Sequence, residues 1–393
     1  MSRNALVFVT VSGLLLATSF TRFAPQWGKH DFLAYWSSSH LLATGSDPYD
    51  TTALRTLQHS IRPPRPGRGA IIQAWNPPWL LLILLPLGLL PFDLAASVWV
   101  FFNTVLIGAA IIISWEMLTD PSKRRGVFVV LLAGLSFGAT LQTIIIGQIV
   151  GLVLVGLVLG VKGLQSGWHG WAGVVLLLTT IKPHLTYLVL LLIVVWSLRH
   201  RRWQVLGGMM AAGLAAGIIL WIIFPGWIFA YFRTLLSLPY TVLDMSTLGS
   251  FAEALFGFSG LKFAGLLLLP VALPLVRVQA RWGWLTATNM ALLISVPLAP
   301  YGFSFDQIVL LPAIVQIIVW LRRRDPSRRW RWIIESSLAG IMLVFFWQLI
   351  LPPRTTIGSY GCPWLCWACT RWPGVNSTLS QVLLGNLRVE QGR

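Results

Sequence analysis

Long apolar runs alternate with short polar or basic breaks from one end of this chain almost to the other. Residues 5–22, 127–146 and 332–351 each approach the roughly 17–25 apolar positions that one helical crossing of a bilayer needs. Read between the basic breaks, the pattern predicts spans near 5–22, 94–115, 127–146, 149–163, 171–182, 184–198, 205–224, 262–278, 284–299, 307–321 and 332–351. That is an all-α integral membrane bundle of about eleven helices. Several spans are short, so tilted, broken or re-entrant helices are expected where they line a cavity.

The basic residues orient the bundle. Lys123-Arg124-Arg125, Arg199-His200-Arg201-Arg202, Arg277 to Arg281, and the run from Arg322 to Arg331 all fall in short breaks, as cytoplasmic loops do under the positive-inside rule. With the N-terminus inside, the breaks at 23–93, 147–148, 182–183, 225–261 and 300–306 lie outside, as does a short tail, 352–393. Residues 77–91 are apolar enough to imitate a crossing. They are short and bounded by prolines, and Trp75 and Trp79 mark headgroup depth, so they read as an interfacial helix on the outer face. Residues 1–351 then form one transmembrane domain with a long first outer loop, 23–93. Residues 62–69 of that loop, rich in Pro and Gly, read as irregular.

Composition agrees with the pattern. Of 393 residues, 56% are hydrophobic and 10% charged, where a soluble chain carries about 25% charge. The net charge of +17 is scattered over loops, which argues for a lipid bilayer as partner and against nucleic acid. Residues 19–23 lack a small-residue cleavage pattern, so the first helix is expected to stay as an anchor.

Chemistry concentrates in the outer breaks. Asp31 follows the first crossing and precedes an aromatic-rich stretch (32–36), and a Gly/Asp/Pro turn with Asp47 and Tyr49 follows. A half-buried carboxylate there can accept a proton from a hydroxyl; equally, Asp31 can cap the helix that follows it. Lys182, beside Pro183 and His184, interrupts two apolar spans, and an ionisable residue at such a place is a functional candidate. The alternative is a snorkelling lysine at a helix end. Arg233 is a second cation for a phosphate. Gln148 can donate to a hydroxyl or phosphate, or serve helix packing. Asp306 can bind hydroxyls, pair with Lys182, or cap the helix at 307. Asn76 is a further sugar-contact candidate.

Five pieces resemble, in order, the polyprenyl-phosphate-mannose-dependent mannosyltransferases of glycosyltransferase family 87, within the GT-C fold. They are DFLAYW with ATGSDPYD (31–36, 43–50), WNPPWLLLILLPLGLLPF (75–92), GQIVGLVL (147–154), a Trp-Ala-Gly helix running into IKPHL (171–185), and APYGFSFDQIVLLPA (299–313). They cover most of residues 25–315. The resemblance implies that Asp31 is the catalytic carboxylate, deprotonating the acceptor hydroxyl as it attacks the anomeric carbon. It also implies interfacial helices in the first outer loop. Tyr301 departs from the pattern, because the family often has histidine there.

The expected function is therefore transfer of a hexose, mannose by resemblance, from a polyprenyl-phosphate carrier to a glycolipid or glycan acceptor. It takes place at the outer face of a prokaryotic cytoplasmic membrane, in the cell envelope. Asp31 is the base, Lys182, His184 and Arg233 hold the donor phosphate, and Asp47, Tyr49, Asn76, Gln148, Tyr301 and Asp306 line the sugar and acceptor sites. No cofactor beyond the lipid-linked donor and no metal is expected. The competing reading is a flippase or transporter of lipid-linked sugars, which commonly shows two similar halves; no repeat is visible in the sequence. Cys362, Cys366 and Cys369 are spaced as in some iron–sulfur enzymes, but in an outer tail they read as one disulfide and a spare thiol. Gly156 and Gly160 read as helix-packing positions.

Overall fold

The computed structural model describes residues 28–63, 71–119, 126–237, 247–258 and 260–323, with 336 and 340 as single positions. The expected spans at 5–22 and 332–351, most of the irregular stretch at 62–69, the basic cluster at 123–125, most of the cluster at 322–331, and the tail with its three cysteines lie outside these residues.

Every regular element among the described residues is helical. The first part holds α1 (Phe32–Ala43), α2 (Thr51–Ile61) and α3 (Trp79–Gly88). Asp50 starts α2 as a side-chain cap, accepting from the Thr52 and Ala53 amides. Helix α1 is buried on nearly every side, which is why its sequence shows no amphipathic period. It packs on α3, and the contact is tight enough that a Cβ on Gly88 would lie 2.7 Å from the Ser39 carbonyl carbon. Trp36 Nε1 then reaches the Leu90 carbonyl at 3.1 Å. The expected helix at 77–91 is thus present as ten residues, about 15 Å long and too short to cross a bilayer.

Helix α4 (Phe92–Leu118) is the longest element, 27 residues or about 40 Å. After it come α5 (Val127–Leu135) and α6 (Gly138–Ile146), bent by 58° at Ser136-Phe137, so the span expected at 127–146 is broken. Helix α7 (Val150–Gln165) is buried along most of its length, packing against α4 and against α8 (His169–Leu176) with its 3-10 continuation Leu177–Ile181. Gly156 and Gly160 make that second contact possible. A Cβ at either would meet Leu178 or Leu176 at 2.5 Å, so these positions are packing glycines, as read from the sequence.

Helices α9 (Pro183–Arg199), α10 (Trp203–Ile223), α11 (Trp227–Leu236), α12 (Leu248–Phe256), α13 (Ala272–Trp282), α14 (Trp284–Ser295) and α15 (Leu311–Arg323) complete the bundle; 3-10 segments Leu261–Val271 and Ser304–Leu310 lead into α13 and α15. Among the described residues, four helical runs are long and apolar enough to cross a membrane: Phe92–Leu118, Trp203–Ile223, Leu261–Trp282 and Ser304–Leu321. The bent pair adds a fifth. This is a membrane protein by its helices, although the count of about eleven spans is not reproduced. The expected spans at 149–163, 171–182, 184–198 and 284–299 form apolar helices of 10–17 residues, cut short by the turns that build the site.

Candidate active site

The break at Lys182 is dictated by Pro183. Proline lacks an N–H, and its ring disfavours helical geometry in the residue before it. Lys182 accordingly lies at φ −132°, ψ 72°, between the 3-10 turn Leu177–Ile181 and α9, which begins on Pro183. Its side chain does not snorkel. It is 8% exposed and donates to Asp306 Oδ1 at 2.7 Å, with the ammonium 4.9 Å above the Phe305 ring. The other Asp306 oxygen accepts from the Phe303 amide at 2.9 Å. Asp306 therefore pairs with Lys182, as one of its readings had it. It is not the N-cap of a helix starting at 307, because it lies inside the 3-10 helix Ser304–Leu310 and reaches back to the backbone of Phe303, the residue that precedes that helix. A buried ion pair is tolerable only when its remaining atoms are hydrogen-bonded, and this one meets that condition on the carboxylate side.

Asp31 occupies the position before α1, but it does not cap the helix. Its backbone is already helical (φ −75°, ψ −28°) and its side chain makes no capping bond, since a side-chain cap needs the extended backbone that Asp50 adopts. The carboxylate turns instead towards two donors. His30 Nδ1 lies 2.5 Å from Oδ1, and Gln148 Nε2 donates to Oδ2 at 2.6 Å. An ionised carboxylate only accepts, so Nδ1 carries the hydrogen. The Asp31 side chain stays 18% exposed, enough to meet a ligand.

Gln148 stands on a turn whose shape glycine sets. Gly147 ends α6 at φ +77°, and a Cβ there would lie 2.7 Å from both the Gly28 carbonyl oxygen and Phe32 Cβ. The close approach lets Gly28 and Asp31 donate their amides to the Ile145 and Ile146 carbonyls at 2.9 and 2.8 Å. Trp99 Nε1 and Asn103 Nδ2, both on α4, hold the Gly147 and Gln148 carbonyls at 3.2 and 2.9 Å. Gln148 is thus fully enclosed, with its side-chain oxygen accepting from Tyr35 at 3.1 Å.

Tyr35 links the two charged centres. Its hydroxyl is held protonated well above the ordinary tyrosine range, first by burial, then by the Asp31 carboxylate, then by that of Asp306. The Asp31–Gln148 chain and the Lys182–Asp306 pair therefore lie within electrostatic reach of one phenol.

The other expected residues divide into two groups. Asn76 donates to the Ile181 carbonyl at 3.0 Å, fastening the first loop to the residue before Lys182. His184 packs on Tyr301, ring centroids 3.7 Å apart and planes tilted by 30°, and both its ring nitrogens are buried without a hydrogen-bond partner. These belong with Lys182. Arg233 instead lies 3.7 Å from Asp47, is 76% exposed, and sits near Tyr49, which packs on Tyr231 beside a second small apolar core. The Tyr49 hydroxyl is buried and unpartnered, and burial, then Tyr231 and Asp47, raise its pKa. Around these residues the first loop meets 145–148, 181 and 233, Lys182 meets Asp306, Thr143 reaches the Phe305 carbonyl at 3.2 Å, and Leu248 donates to the Pro297 carbonyl at 2.8 Å.

His30 and Tyr35 are participants that the sequence reading passed over. The signal was a polar atom on each within two turns of Asp31, hidden in a stretch that looked like aromatic core. Among the described residues no group of three or more His, Cys, Asp or Glu side chains could hold a metal ion. A family model described as Glycosyltransferase family 87 matches residues 75–346, more than half of the chain. No curated protein and no solved structure matches it.

Proposed function

Because the chain belongs to glycosyltransferase family 87 and is a membrane glycosyltransferase, we propose that it moves a hexose, mannose in the first instance, from a polyprenyl-phosphate carrier to a glycolipid or glycan acceptor. The reaction takes place at the outer face of a prokaryotic cytoplasmic membrane. The observation that carries this reading is the partly exposed Asp31 carboxylate, held at both oxygens, with the Tyr35 phenol feeling both it and the carboxylate paired to the buried Lys182.

Asp31 takes the proton from the acceptor hydroxyl as its oxygen attacks the anomeric carbon. The bond from that carbon to the phosphate oxygen breaks, and its electron pair leaves with the lipid phosphate. Negative charge grows on that phosphate, and preorganised cations stabilise it. Lys182 supplies the cation by exchanging part of its contact with Asp306 for the phosphate. His184, with two unpartnered nitrogens beside it, supplies a donor. Tyr301 and Asn76 border the sugar, and Asp47, Tyr49 and Arg233 belong to the acceptor or lipid-entry side. No cofactor enters the reaction; the lipid-linked donor is the co-substrate.

The test uses purified protein in bilayer mimetic with radiolabelled polyprenyl-phosphate mannose and extracted envelope lipids. The parent chain transfers label to lipid, and Asp31→Asn still binds donor but does not turn over. Transfer by Asp31→Asn would end the proposal, and movement of label across vesicles without transfer would favour the flippase.

A further inference from the structure

Gln148 Oε1 accepts from two donors, the Ile149 amide at 3.3 Å and the Tyr35 hydroxyl at 3.1 Å. The first decides which end of the amide faces Asp31. If the amide were reversed, an N–H would point at the Ile149 N–H, and two acceptors would face each other 2.6 Å apart at Asp31. The Ile149 amide and Asp31 anchor the two ends of the amide, and the Tyr35 hydroxyl adds a third contact that fixes its plane. The glutamine backbone is itself clamped by Asn103 and by the Gly147 turn. We propose that Tyr35 is a positioning residue for sugar transfer, acting through the Gln148 amide to set the direction in which the Asp31 carboxylate faces the acceptor hydroxyl.

The inference rests on Asp31 being the base proposed above. Tyr35 is almost fully enclosed and makes its contribution without meeting substrate. Its phenol, held protonated by burial and by the two carboxylates, remains a donor throughout the working pH range. A proton acceptor must sit within hydrogen-bond reach along the right direction, and small misplacements cost a large part of the rate.

The experiment measures kcat, KM for radiolabelled polyprenyl-phosphate mannose and for lipid acceptor, and thermal midpoint, in Tyr35→Phe, Gln148→Leu and the double variant. Tyr35→Phe is expected to lower kcat at least about tenfold, with both KM values and the thermal midpoint unchanged. In the Gln148→Leu background the same change is expected to lower kcat no further, because the path to Asp31 is already cut. An unchanged kcat in Tyr35→Phe overturns the inference, as does an equal loss in both backgrounds or a loss that follows a fallen thermal midpoint. Asp31→Asn is run alongside. If it turns over, the reading of Asp31 fails; if it is inactive while Tyr35→Phe is fully active, only the role of Tyr35 fails.

Discussion

Gln148 donates its side-chain amide to Asp31 Oδ2 at 2.6 Å, across 117 positions of sequence. That partner is a neutral amide, and the other oxygen, Oδ1, faces His30 Nδ1 at 2.5 Å. The lysine nearby is instead joined to Asp306, so orientation and charge are handled by separate residues.

Removing one member of the Lys182–Asp306 pair should be far more damaging than removing both charges. Lys182→Met leaves a 2% exposed carboxylate without its cation, and breaking a buried pair costs about 3–5 kcal/mol. Lys182→Met/Asp306→Asn keeps an acceptor for the Phe303 amide and should regain much of the lost thermal midpoint. Neither variant should transfer sugar. Thermal unfolding in detergent beside the transfer assay checks both expectations; a single variant as stable as the double would contradict the first.

Gly147→Ala should disturb the base from a distance. A left-handed residue with a Cβ costs about 1–2 kcal/mol, and the new methyl would also press on Gly28 and Phe32. The stretch carrying Asp31 has to move away from α6. A lowered thermal midpoint with a larger fall in kcat than in donor binding is the expected outcome. Normal turnover in Gly147→Ala would show that the turn does not fix the carboxylate.

Alkaline pH should weaken the fold through Tyr35 and Tyr49. In the unfolded chain each loses its proton near 10.0, whereas in the folded chain each holds it to higher pH, mainly through burial. The unfolded state thus gives up protons that the folded state keeps. The stability contributed is complete below about pH 10 and is lost as pH rises through the folded values. Thermal midpoints measured between about pH 9 and about pH 11 should fall more gently in Tyr35→Phe/Tyr49→Phe than in the parent chain. Parallel curves would rule out this source of alkaline sensitivity.

The apolar runs made most of the helices legible, because hydropathy reports where a bilayer-compatible segment lies. The Lys182–Asp306 pair was among the open readings, since each residue interrupted an apolar run at a break of the same expected side. Helix ends were not legible. The bend at Ser136-Phe137 and the 3-10 turns before α9 and α15 depend on side chains returning to the backbone, as Thr179 and Thr180 do to the Leu176 and Leu177 carbonyls at 2.6 Å. Hydropathy carries no trace of such bonds. Whether Asp31 caps α1 was also beyond the sequence, because it turned on the backbone angles of one residue, and so was its contact with a partner 117 positions away. The two readings of Gln148, donor to a ligand or packing residue, stayed open for the same reason.

A lysine already satisfied by a carboxylate is electrically quiet. Bilayer surfaces are crowded with phospholipid headgroups, and an unneutralised ammonium in their midst would collect them at random. Paired with Asp306, Lys182 presents no free ammonium to them, and under the proposed function any anion that takes the place of Asp306 has to compensate for parting the pair.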